Sequence, residues 1–287
     1  MAFHWQTFRT RALTAIVFVI VMAGGLLLNR WSYFLLFSLV HFGAWIEYQK
    51  LVDRIEPDYR QASAFHRFGI MAGGWCLLLY FTDGQLQLGG FTLSTAGWWL
   101  GLVFLLMFPL AEVVGRKGLL LKNLGYSLFG LLYISLSLGL MMDLRNRWPE
   151  AQHGLSLTLP LLAIFTIWIN DTMAYIVGSL IGKTPLSPIS PKKTWEGTVG
   201  GAILAIALIG LLARLTGRIG TRDAMIMAAL AAVAGTYGDL FESKLKRLAG
   251  VKDSGSFMPG HGGFLDRFDS LLFAAVAVWI YAVIAFG

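Results

Sequence analysis

The chain has 287 residues, of which 56% are hydrophobic and only 14% are charged. Soluble domains are roughly 45–50% apolar and about 25% charged, so this composition excludes an ordinary soluble domain and predicts a polytopic membrane protein. The formal net charge of +7 is explained by basic loops on the cytoplasmic side of the membrane and by anionic lipid headgroups. The single cysteine, Cys76, lies in an apolar run, which excludes a disulfide framework.

Nine apolar segments are candidates for crossing the membrane, because a spanning helix needs about 20 apolar residues with a range of about 17–25. In chain order they are Ala12–Leu28, Trp31–Gln49, Phe68–Thr82, Gly97–Val114, Leu124–Asp143, Leu157–Leu180, Thr198–Leu215, Asp223–Glu242 and Ser270–Phe286. Phe68–Thr82 is the shortest of them. The first segment follows Arg9 and Arg11 as a signal peptide would, but no cleavage site of small residues follows it, so we expect a retained helix.

These segments predict an all-α fold, a polytopic membrane bundle of about nine transmembrane helices in one domain, residues 1–287. Helices within residues 1–150 would form a scaffold, and residues 157–287 would supply the catalytic helices and loops. With the N-terminus in the cytoplasm and the C-terminus outside, most of the 23 Lys and Arg residues fall on the cytoplasmic side, as the positive-inside rule requires. The exceptions are Arg30, Arg145, Arg147, Arg214, Arg218 and Arg222.

Four carboxylates near the last two segments indicate a metal site. Asp239 and Glu242 are three residues apart on one face of the eighth segment, and Asp266 and Asp269 repeat this spacing just before the ninth. A carboxylate at membrane depth costs at least about 2.5 kcal/mol, and hard oxygen ligands suit Mg²⁺, which takes carboxylates together with substrate phosphates and water. The eighth segment also carries small residues that allow close helix packing: Ala228, Ala232 and Gly235. The alternative is that the acids pair with basic neighbours, namely Lys244, Lys246, Arg247 and Arg267.

A basic loop before the seventh segment is a candidate for phosphate binding. Lys192, Lys193 and Thr194 precede a predicted helix start, and a helix N-terminus with adjacent lysines and hydroxyls is a natural phosphate site. The alternative is an ordinary basic cytoplasmic loop. The nearby stretch Gly178–Thr184 resembles a P-loop, but it has three residues rather than four between its glycines, and it lies at the end of a membrane segment, whereas a P-loop follows a strand.

Two further features carry candidate polar chemistry. The turn His261-Gly262-Gly263 would let backbone N–H groups face an anion, because glycine permits positive φ; the alternative is a plain flexible loop. Zinc is a poor fit for His261, since no Cys or second His lies nearby. Asp171 lies within an apolar segment four residues before Tyr175. An acid in that position indicates function unless it only makes a hydrogen bond between helices.

At these residues the sequence resembles a known family, the phosphatidate cytidylyltransferases or CDP-diglyceride synthases. The family pattern S-x-apolar-K-R-x4-K-D-x-small-x2-apolar-P-x-H-G-G-apolar-x-D-R-apolar-D runs here from Ser243 to Asp269, with Met258 where Leu, Ile or Phe is expected. The stretches Ser190–Gly197 and N-D-T-x-A-Y, which begins at Asn170, are also similar to the family's. The specific similarity covers about the last 120 residues, whereas the first 150 match only as apolar helices.

The resemblance implies transfer of a cytidylyl group from CTP to phosphatidate, which gives CDP-diacylglycerol and pyrophosphate in phospholipid biosynthesis. It implies Mg²⁺ as cofactor, with Asp239 and Asp266 at the positions of the family's metal ligands, and a proposed second, monovalent cation. The expected partners are CTP, phosphatidate and membrane lipids, without nucleic acid, and a homodimer is an open alternative. The expected location is a bacterial inner (plasma) membrane, with the active site facing the cytoplasm.

The chemistry of that reaction agrees with the residues present. Phosphatidate is a phosphate monoester with a second pKa of about 6, so its attacking oxygen is mostly ionised and needs no general base. Bringing it to a polyanion requires metals and cationic side chains. The predicted metal ligands are Asp239, Asp266, Glu242 and Asp269, and the predicted catalytic residues are Asp239, Asp266, Lys252, Asp253 and Asp171. The predicted substrate-binding residues are Lys192, Lys193, Thr194, Lys246, Arg247, His261, Gly262, Gly263 and Arg267.

Two other classes of function remain open from the sequence. A CTP-dependent lipid kinase would phosphorylate a polyprenol or similar alcohol and would need a base, for which Asp171 and Asp253 are candidates. A secondary transporter would use Asp171 and Asp239 as coupling-ion sites. Transporters often show two matched halves, however, and here the charged residues concentrate in the C-terminal half. The sequence does not define the acyl-chain preference, the oligomeric state or the residues that recognise cytosine.

Overall fold

A computed structural model describes residues 5–114, 121–148, 154–258 and 262–287. Within these ranges the chain forms α1 Trp5–Leu27, α2 Arg30–Ile55, α3 Ala64–Tyr80, α4 Leu93–Val114, α5 Leu121–Gly130, a π-helical segment Leu131–Leu136, α6 Ser137–Asn146, α7 Leu155–Ile181, α8 Trp195–Thr216, α9 Thr221–Leu248 and α10 Leu265–Phe286. A 3₁₀ turn spans Pro57–Gln61. Two short antiparallel hairpins pair β1 Gln87–Leu88 with β2 Phe91–Thr92, and β3 Pro185–Ser187 with β4 Ser190–Thr194.

The all-α prediction is confirmed, and each of the nine predicted segments lies on helix. Leu124–Asp143 runs without a break through α5, the π-helical segment and α6. In the described ranges, six helical stretches are long and apolar enough to cross a membrane: Leu93–Ala111, Asn123–Asn146, Leu155–Ile181, Trp195–Thr216, Thr221–Leu248 and Leu265–Phe286. The protein is therefore an integral membrane protein. The count of nine crossings and the orientation of the termini stay predictions.

The chain divides into two compact units. The N-terminal unit comprises Met1–Gly139 with Leu248–Arg267, and the C-terminal unit comprises Leu140–Arg247 with Phe268–Gly287. The loop that carries much of the predicted motif thus packs with the first half of the chain. The prediction of one domain, with a scaffold before residue 150 and catalytic helices after residue 157, stays a prediction.

In the N-terminal unit, the buried face of α2 includes five aromatic residues, namely Tyr33, Phe34, Phe37, Trp45 and Tyr48. Trp45 and Tyr48 are almost fully buried, and each polar atom of these rings has a partner from the following helices. The Trp45 indole donates to Ser135 Oγ at 2.8 Å, and the Tyr48 hydroxyl donates to the Tyr126 carbonyl at 2.8 Å. The polar atoms of buried Trp and Tyr side chains need such partners. These hydrogen bonds therefore fix the packing of α2 against α5 and the π-helical segment.

Glycines allow close helix contact at two places. In the N-terminal unit, a Cβ at Gly97 of α4 would lie 2.7 Å from the Cys76 carbonyl oxygen of α3. In the C-terminal unit, a Cβ at Gly201 of α8 would lie 2.7 Å from the Ala174 backbone nitrogen of α7. Both glycines therefore serve helix packing. Cys76 is a free, buried thiol.

The face of small residues on α9 packs within the C-terminal unit. Ala228 and Ala232 are buried, and a Cβ at Gly238 would lie 2.5 Å from the Asp269 carbonyl oxygen at the start of α10. This close approach brings the backbone next to Asp239 against the first turn of α10. Asp239 and Asp269 are therefore presented by two helices in direct contact.

Candidate active site

The basic loop predicted to bind phosphate is a short hairpin between α7 and α8. Its second strand, β4, carries Lys192 and Lys193 and ends at Thr194, whose hydroxyl accepts a hydrogen bond from the Gly197 N–H at 3.2 Å. Thr194 is thus the N-cap of α8. The hairpin is short and begins and ends at helices, so the positions of its two lysines are set by α7 and α8.

Glu196 ties the end of α7 to the start of α8. Its carboxylate accepts hydrogen bonds from the Lys183 N–H at 3.1 Å and from the Thr184 N–H at 3.2 Å. These are backbone donors of the stretch that resembles a P-loop in sequence. Because the chain's own carboxylate occupies them and α7 precedes them, the structure agrees with the rejection of a P-loop.

The central contact of the C-terminal unit is an ion pair between Lys193 on β4 and Asp239 on α9. The side chains are 31% and 23% exposed, so the pair is partly withdrawn from solvent. Ser243, one turn further along α9, donates from its hydroxyl to the other oxygen of Asp239 at 3.3 Å. Two residues that the sequence singled out in separate motifs are thereby brought together.

This ion pair borders a cavity of about 500 Å³. That volume falls in the range of about 300–1,000 Å³ that is typical of small-molecule sites. Asp171 and Asp239 supply carboxylates to the wall, and Lys192 and Lys193 supply ammonium groups. The wall also carries side-chain hydroxyls from several elements: Tyr175, Ser179, Ser190, Thr194, Thr198 and Thr236. Such a wall offers both charge types and many hydrogen bonds to a phosphate-bearing ligand.

The electrostatic neighbours of Lys193 show how these charges are grouped. Burial lowers the pKa of the Lys193 ammonium below its ordinary value of 10.5. The carboxylates of Asp171 and Asp269 oppose this change, and the Lys246 ammonium adds to it. Lys193 therefore lies within the field of groups from α7, α9 and α10.

Glu242, a predicted metal ligand, is fully buried and forms an ion pair with Lys246 one turn later on α9. This is the pairing with a basic neighbour that the alternative interpretation expected. The Asp269 carboxylate accepts a hydrogen bond from the N–H of Ser270 at 2.6 Å. The roles of Glu242 and Asp269 as metal ligands stay predictions.

Asp266 lies in the N-terminal unit, where its Oδ2 accepts three hydrogen bonds. The donors are the Ser254 N–H at 2.9 Å, the Ser254 hydroxyl at 2.8 Å and the Gly263 N–H at 2.8 Å. Gly262 has a φ of +83°, and a Cβ there would lie 2.5 Å from Asp266 Oδ2. Glycine is needed at this position for both reasons. The Gly263 N–H that was expected to face a substrate anion is directed here at a carboxylate of the chain itself.

The remaining predicted residues are distributed between the two units. Lys252, Asp253 and Arg267 are exposed in the N-terminal unit, and Arg247 is exposed at the end of α9. His261 lies outside the described residues. The sequence interpretation did not single out Glu47, which is buried on α2 and accepts hydrogen bonds from the Ser254 hydroxyl and from the N–H of Leu265, the first residue of α10. Its one signal in the sequence was an acid inside a predicted apolar segment.

The donor set of the cavity fits a magnesium ion in part. Among the described residues, no group of three or more His, Cys, Asp or Glu side chains could hold a metal ion by itself. Mg²⁺, however, is often bound by one or two carboxylates with substrate phosphates and waters completing its shell. Asp239 already accepts a cation in this structure, the Lys193 ammonium. Its hard carboxylate at the cavity wall is thus a chemically suitable ligand.

Apolar helices of spanning length define an integral membrane protein, and lysines and carboxylates meet at the wall of one of its cavities. The model of the cytidylyltransferase family matches residues 9–285, and the chain belongs to this family. It is similar to the phosphatidate cytidylyltransferase of Pseudomonas aeruginosa, with 35% identity over 97% of this chain and 98% of that relative.

Other relatives match over shorter stretches. Phosphatidate cytidylyltransferase 4, chloroplastic, from Arabidopsis thaliana is 36% identical over 60% of this chain and 49% of its own length. A phosphatidate cytidylyltransferase from Synechocystis sp. is 41% identical over 51% of this chain and 52% of its own length. The chain therefore spans about half the length of these two relatives. The comparisons confirm the resemblance that the sequence motifs indicated.

Proposed function

We propose that the chain is a nucleotidyltransferase that moves the cytidylyl group of CTP to phosphatidate and so forms CDP-diacylglycerol and pyrophosphate. The structural observation that carries the proposal is the Lys193–Asp239 pair at the wall of the 500 Å³ cavity. Ammonium and carboxylate groups at one cavity suit a substrate with several phosphates and its metal ion. Family membership and the names of the relatives specify which phosphate chemistry this is.

In this reaction an ionised phosphate oxygen of phosphatidate attacks the α-phosphorus of CTP. A new P–O bond forms there, while the bond from the α-phosphorus to the bridging oxygen of the β-phosphate breaks, and pyrophosphate carries the electron pair away. The acceptor has a second pKa of about 6 and is mostly ionised at neutral pH, so no proton has to be removed. The barrier is mainly the approach of two anions, which positioning and positive charge lower.

The residues of the cavity have roles that follow from this barrier. Lys192 and Lys193 neutralise phosphate charge, and the hydroxyl groups orient the non-bridging oxygens. Thr194 holds the start of α8 through its bond to Gly197, so the helix N-terminus beside the lysines keeps its favourable direction for an anion. We assign Lys246, Arg247, Lys252 and Arg267 to further phosphate contacts on the basis of the family pattern.

We further propose that Mg²⁺ is the cofactor and that Asp239 is one of its ligands. When bound, the ion would neutralise charge on the phosphates that approach each other. That Asp266 shares this ion, and that a second, monovalent cation accompanies it, are predictions that follow from the family resemblance. Asp171 and Asp253 complete the proposed catalytic set.

We propose a location in a bacterial inner membrane, with nine crossings, the N-terminus in the cytoplasm and the active site on the cytoplasmic side. The asymmetry of Lys and Arg supports this orientation. CTP arrives from water, whereas the acyl chains of phosphatidate remain in the bilayer. A site at the cytoplasmic interface satisfies both requirements.

The reaction is tested with the purified chain, Mg²⁺, phosphatidate in detergent, and CTP labelled at either the α- or the γ-phosphorus. We expect the α label in the lipid fraction and the γ label in pyrophosphate, and we expect a metal chelator to abolish the transfer. A lipid kinase would instead put the γ label into lipid and leave the α label in CDP. Label entering lipid only from the γ position would refute the proposed function.

A further inference from the structure

A buried glutamate on α2 holds the segment that leads into Asp266. Glu47 is only 5% exposed. Its Oε2 accepts hydrogen bonds from the Ser254 hydroxyl and from the Leu265 N–H, each at 2.9 Å. These two donors lie at the two ends of the segment 254–265, so one carboxylate from α2 binds both ends of this segment.

The backbone of this segment packs directly against the same carboxylate. A Cβ added at Gly255 or at Gly263 would overlap the Glu47 carboxylate. One turn earlier on α2, a Cβ at Gly43 would overlap the ring of Phe264. Gly43 and Glu47 are four residues apart and lie on one face of the helix. The described residues at both ends of this segment, 254–255 and 263–265, are therefore seated on this face of α2, with little space to shift.

Ser254 links Glu47 to the Asp266 carboxylate. Its hydroxyl oxygen lies 2.9 Å from Glu47 Oε2 and 2.8 Å from Asp266 Oδ2, and its single hydrogen is donated to one of them at a time. The other donors to Asp266 Oδ2 are the N–H groups of Ser254 and Gly263, which belong to the segment that Glu47 holds. The orientation of the Asp266 carboxylate consequently depends on Glu47.

We propose that Glu47 is a positioning residue for the reaction, which acts through the segment 254–265 and orients Asp266. The proposal rests on the proposed function, in which Asp266 is a metal ligand. Loss of a partner that orients a metal ligand typically costs about 10- to 100-fold in metal affinity or activity. An effect of this size is expected even though Glu47 is assigned no contact with either substrate.

The test compares Glu47→Gln with Glu56→Gln, which makes the same chemical change at another buried glutamate that directly follows α2. For Glu47→Gln we expect kcat to fall about 10- to 100-fold, the Mg²⁺ concentration at half-maximal rate to rise, and the KM for CTP to change little. We expect amide hydrogen exchange at Ser254 and Leu265 to become faster. Glu56→Gln should resemble the wild-type chain in all four measurements.

Ser254→Ala provides a second variant that does not depend on how Glu47→Gln folds. It removes the hydroxyl that links the two carboxylates but keeps the Ser254 backbone N–H. We expect the same changes in Mg²⁺ dependence and in kcat, with a smaller amplitude. Both variants disrupt the same connection between the Glu47 and Asp266 carboxylates. The fold-change in kcat of the double variant should therefore be less than the product of the two single fold-changes.

The outcomes separate positioning from structure and from the proposed function. The proposal is overturned if both variants keep wild-type kcat, Mg²⁺ dependence and exchange rates. It is also overturned if activity falls only in proportion to the amount of folded protein, with unchanged Mg²⁺ dependence. A wild-type chain that transfers no label would refute the proposed function instead. The exchange rates need no substrate, so they would still show whether Glu47 holds the segment.

Discussion

Replacing Asp239 by Asn tests the proposed role of the cavity most directly, because this substitution removes one negative charge and keeps the size and shape of the side chain. The carboxylate and its partner Lys193 are 23% and 31% exposed, so the burial of this ion pair is intermediate between that of an exposed pair and that of a fully buried pair. Exposed ion pairs contribute about 0.2–1 kcal/mol, and breaking a fully buried pair costs about 3–5 kcal/mol. We therefore expect the free energy of unfolding to fall by about 1–2 kcal/mol, which leaves the protein folded.

The expected effect on the reaction is larger than the effect on stability. If Asp239 holds the cation that neutralises phosphate charge, Asp239→Asn should lower kcat/KM at least about 100-fold, which corresponds to roughly 2.7 kcal/mol at 1.36 kcal/mol per factor of ten. The assay is transfer of α label from CTP to phosphatidate, with the melting temperature measured on the same preparation. Asp223→Asn is the matched control, since Asp223 lies on the same helix and accepts a hydrogen bond from the Tyr281 hydroxyl at 2.8 Å.

The double variant Lys193→Met/Asp239→Asn separates a structural ion pair from two functional groups. A pair that only holds β4 against α9 would be replaced by a neutral contact, and the double variant would recover activity relative to either single variant. Groups with separate roles in phosphate and metal binding would give no recovery. Near-normal transfer by a well-folded Asp239→Asn protein, or recovery in the double variant, would refute the assignment.

Two further predictions concern the lysines and the topology. Lys193→Ala and Lys252→Ala should raise the KM for CTP more than they change the Mg²⁺ requirement, with the defect partly masked at high CTP, because a lysine on a ground-state phosphate contributes uniform binding. Unchanged CTP dependence in both would mean that they are ordinary basic loop residues. A reporter fused after Gly287 should be exterior and one fused near Lys192 cytoplasmic. A cytoplasmic C-terminus would contradict nine crossings, and the short segment Phe68–Thr82 would then be the first candidate for a helix that does not cross the membrane.

The helices could be predicted because membrane segments carry a strong local signal. About 20 consecutive apolar residues have few stable arrangements other than a helix, and every predicted segment is helical here. The packing face of α9 could also be predicted, because small residues at helical spacing such as Ala228 and Ala232 indicate close packing, and both are buried. The hairpin β3–β4 gave no comparable signal. Its strands are three and five residues long, and its register depends on where α7 ends and α8 begins rather than on a periodic pattern.

Pairing between distant residues was the part of the candidate site that sequence could not supply. The sequence marked Lys193 and Asp239 separately, each with a local alternative, and only the fold shows that they meet. For Glu242 the sequence offered both metal binding and a local ion pair, and the structure contains the ion pair with Lys246. A contact at i,i+4 on one helix is foreseeable from spacing, whereas a contact between a strand and a helix forty-six residues later is not.

Glu47 shows that residues which belong to one sequence motif can have different structural reasons for being there. It lies two residues before the end of the predicted segment Trp31–Gln49, where an acid can reach the interface at low cost, so its presence there needed no functional explanation. The structure instead buries it beneath Gly255 and Gly263. These two positions require glycine because the Glu47 carboxylate of α2 packs directly against their backbone. Gly262 is a glycine for a different reason, its positive φ beside Asp266. The motif therefore contains a surface that fits α2 as well as the predicted catalytic and binding residues, and this surface can be recognised only from the position of α2 in the structure.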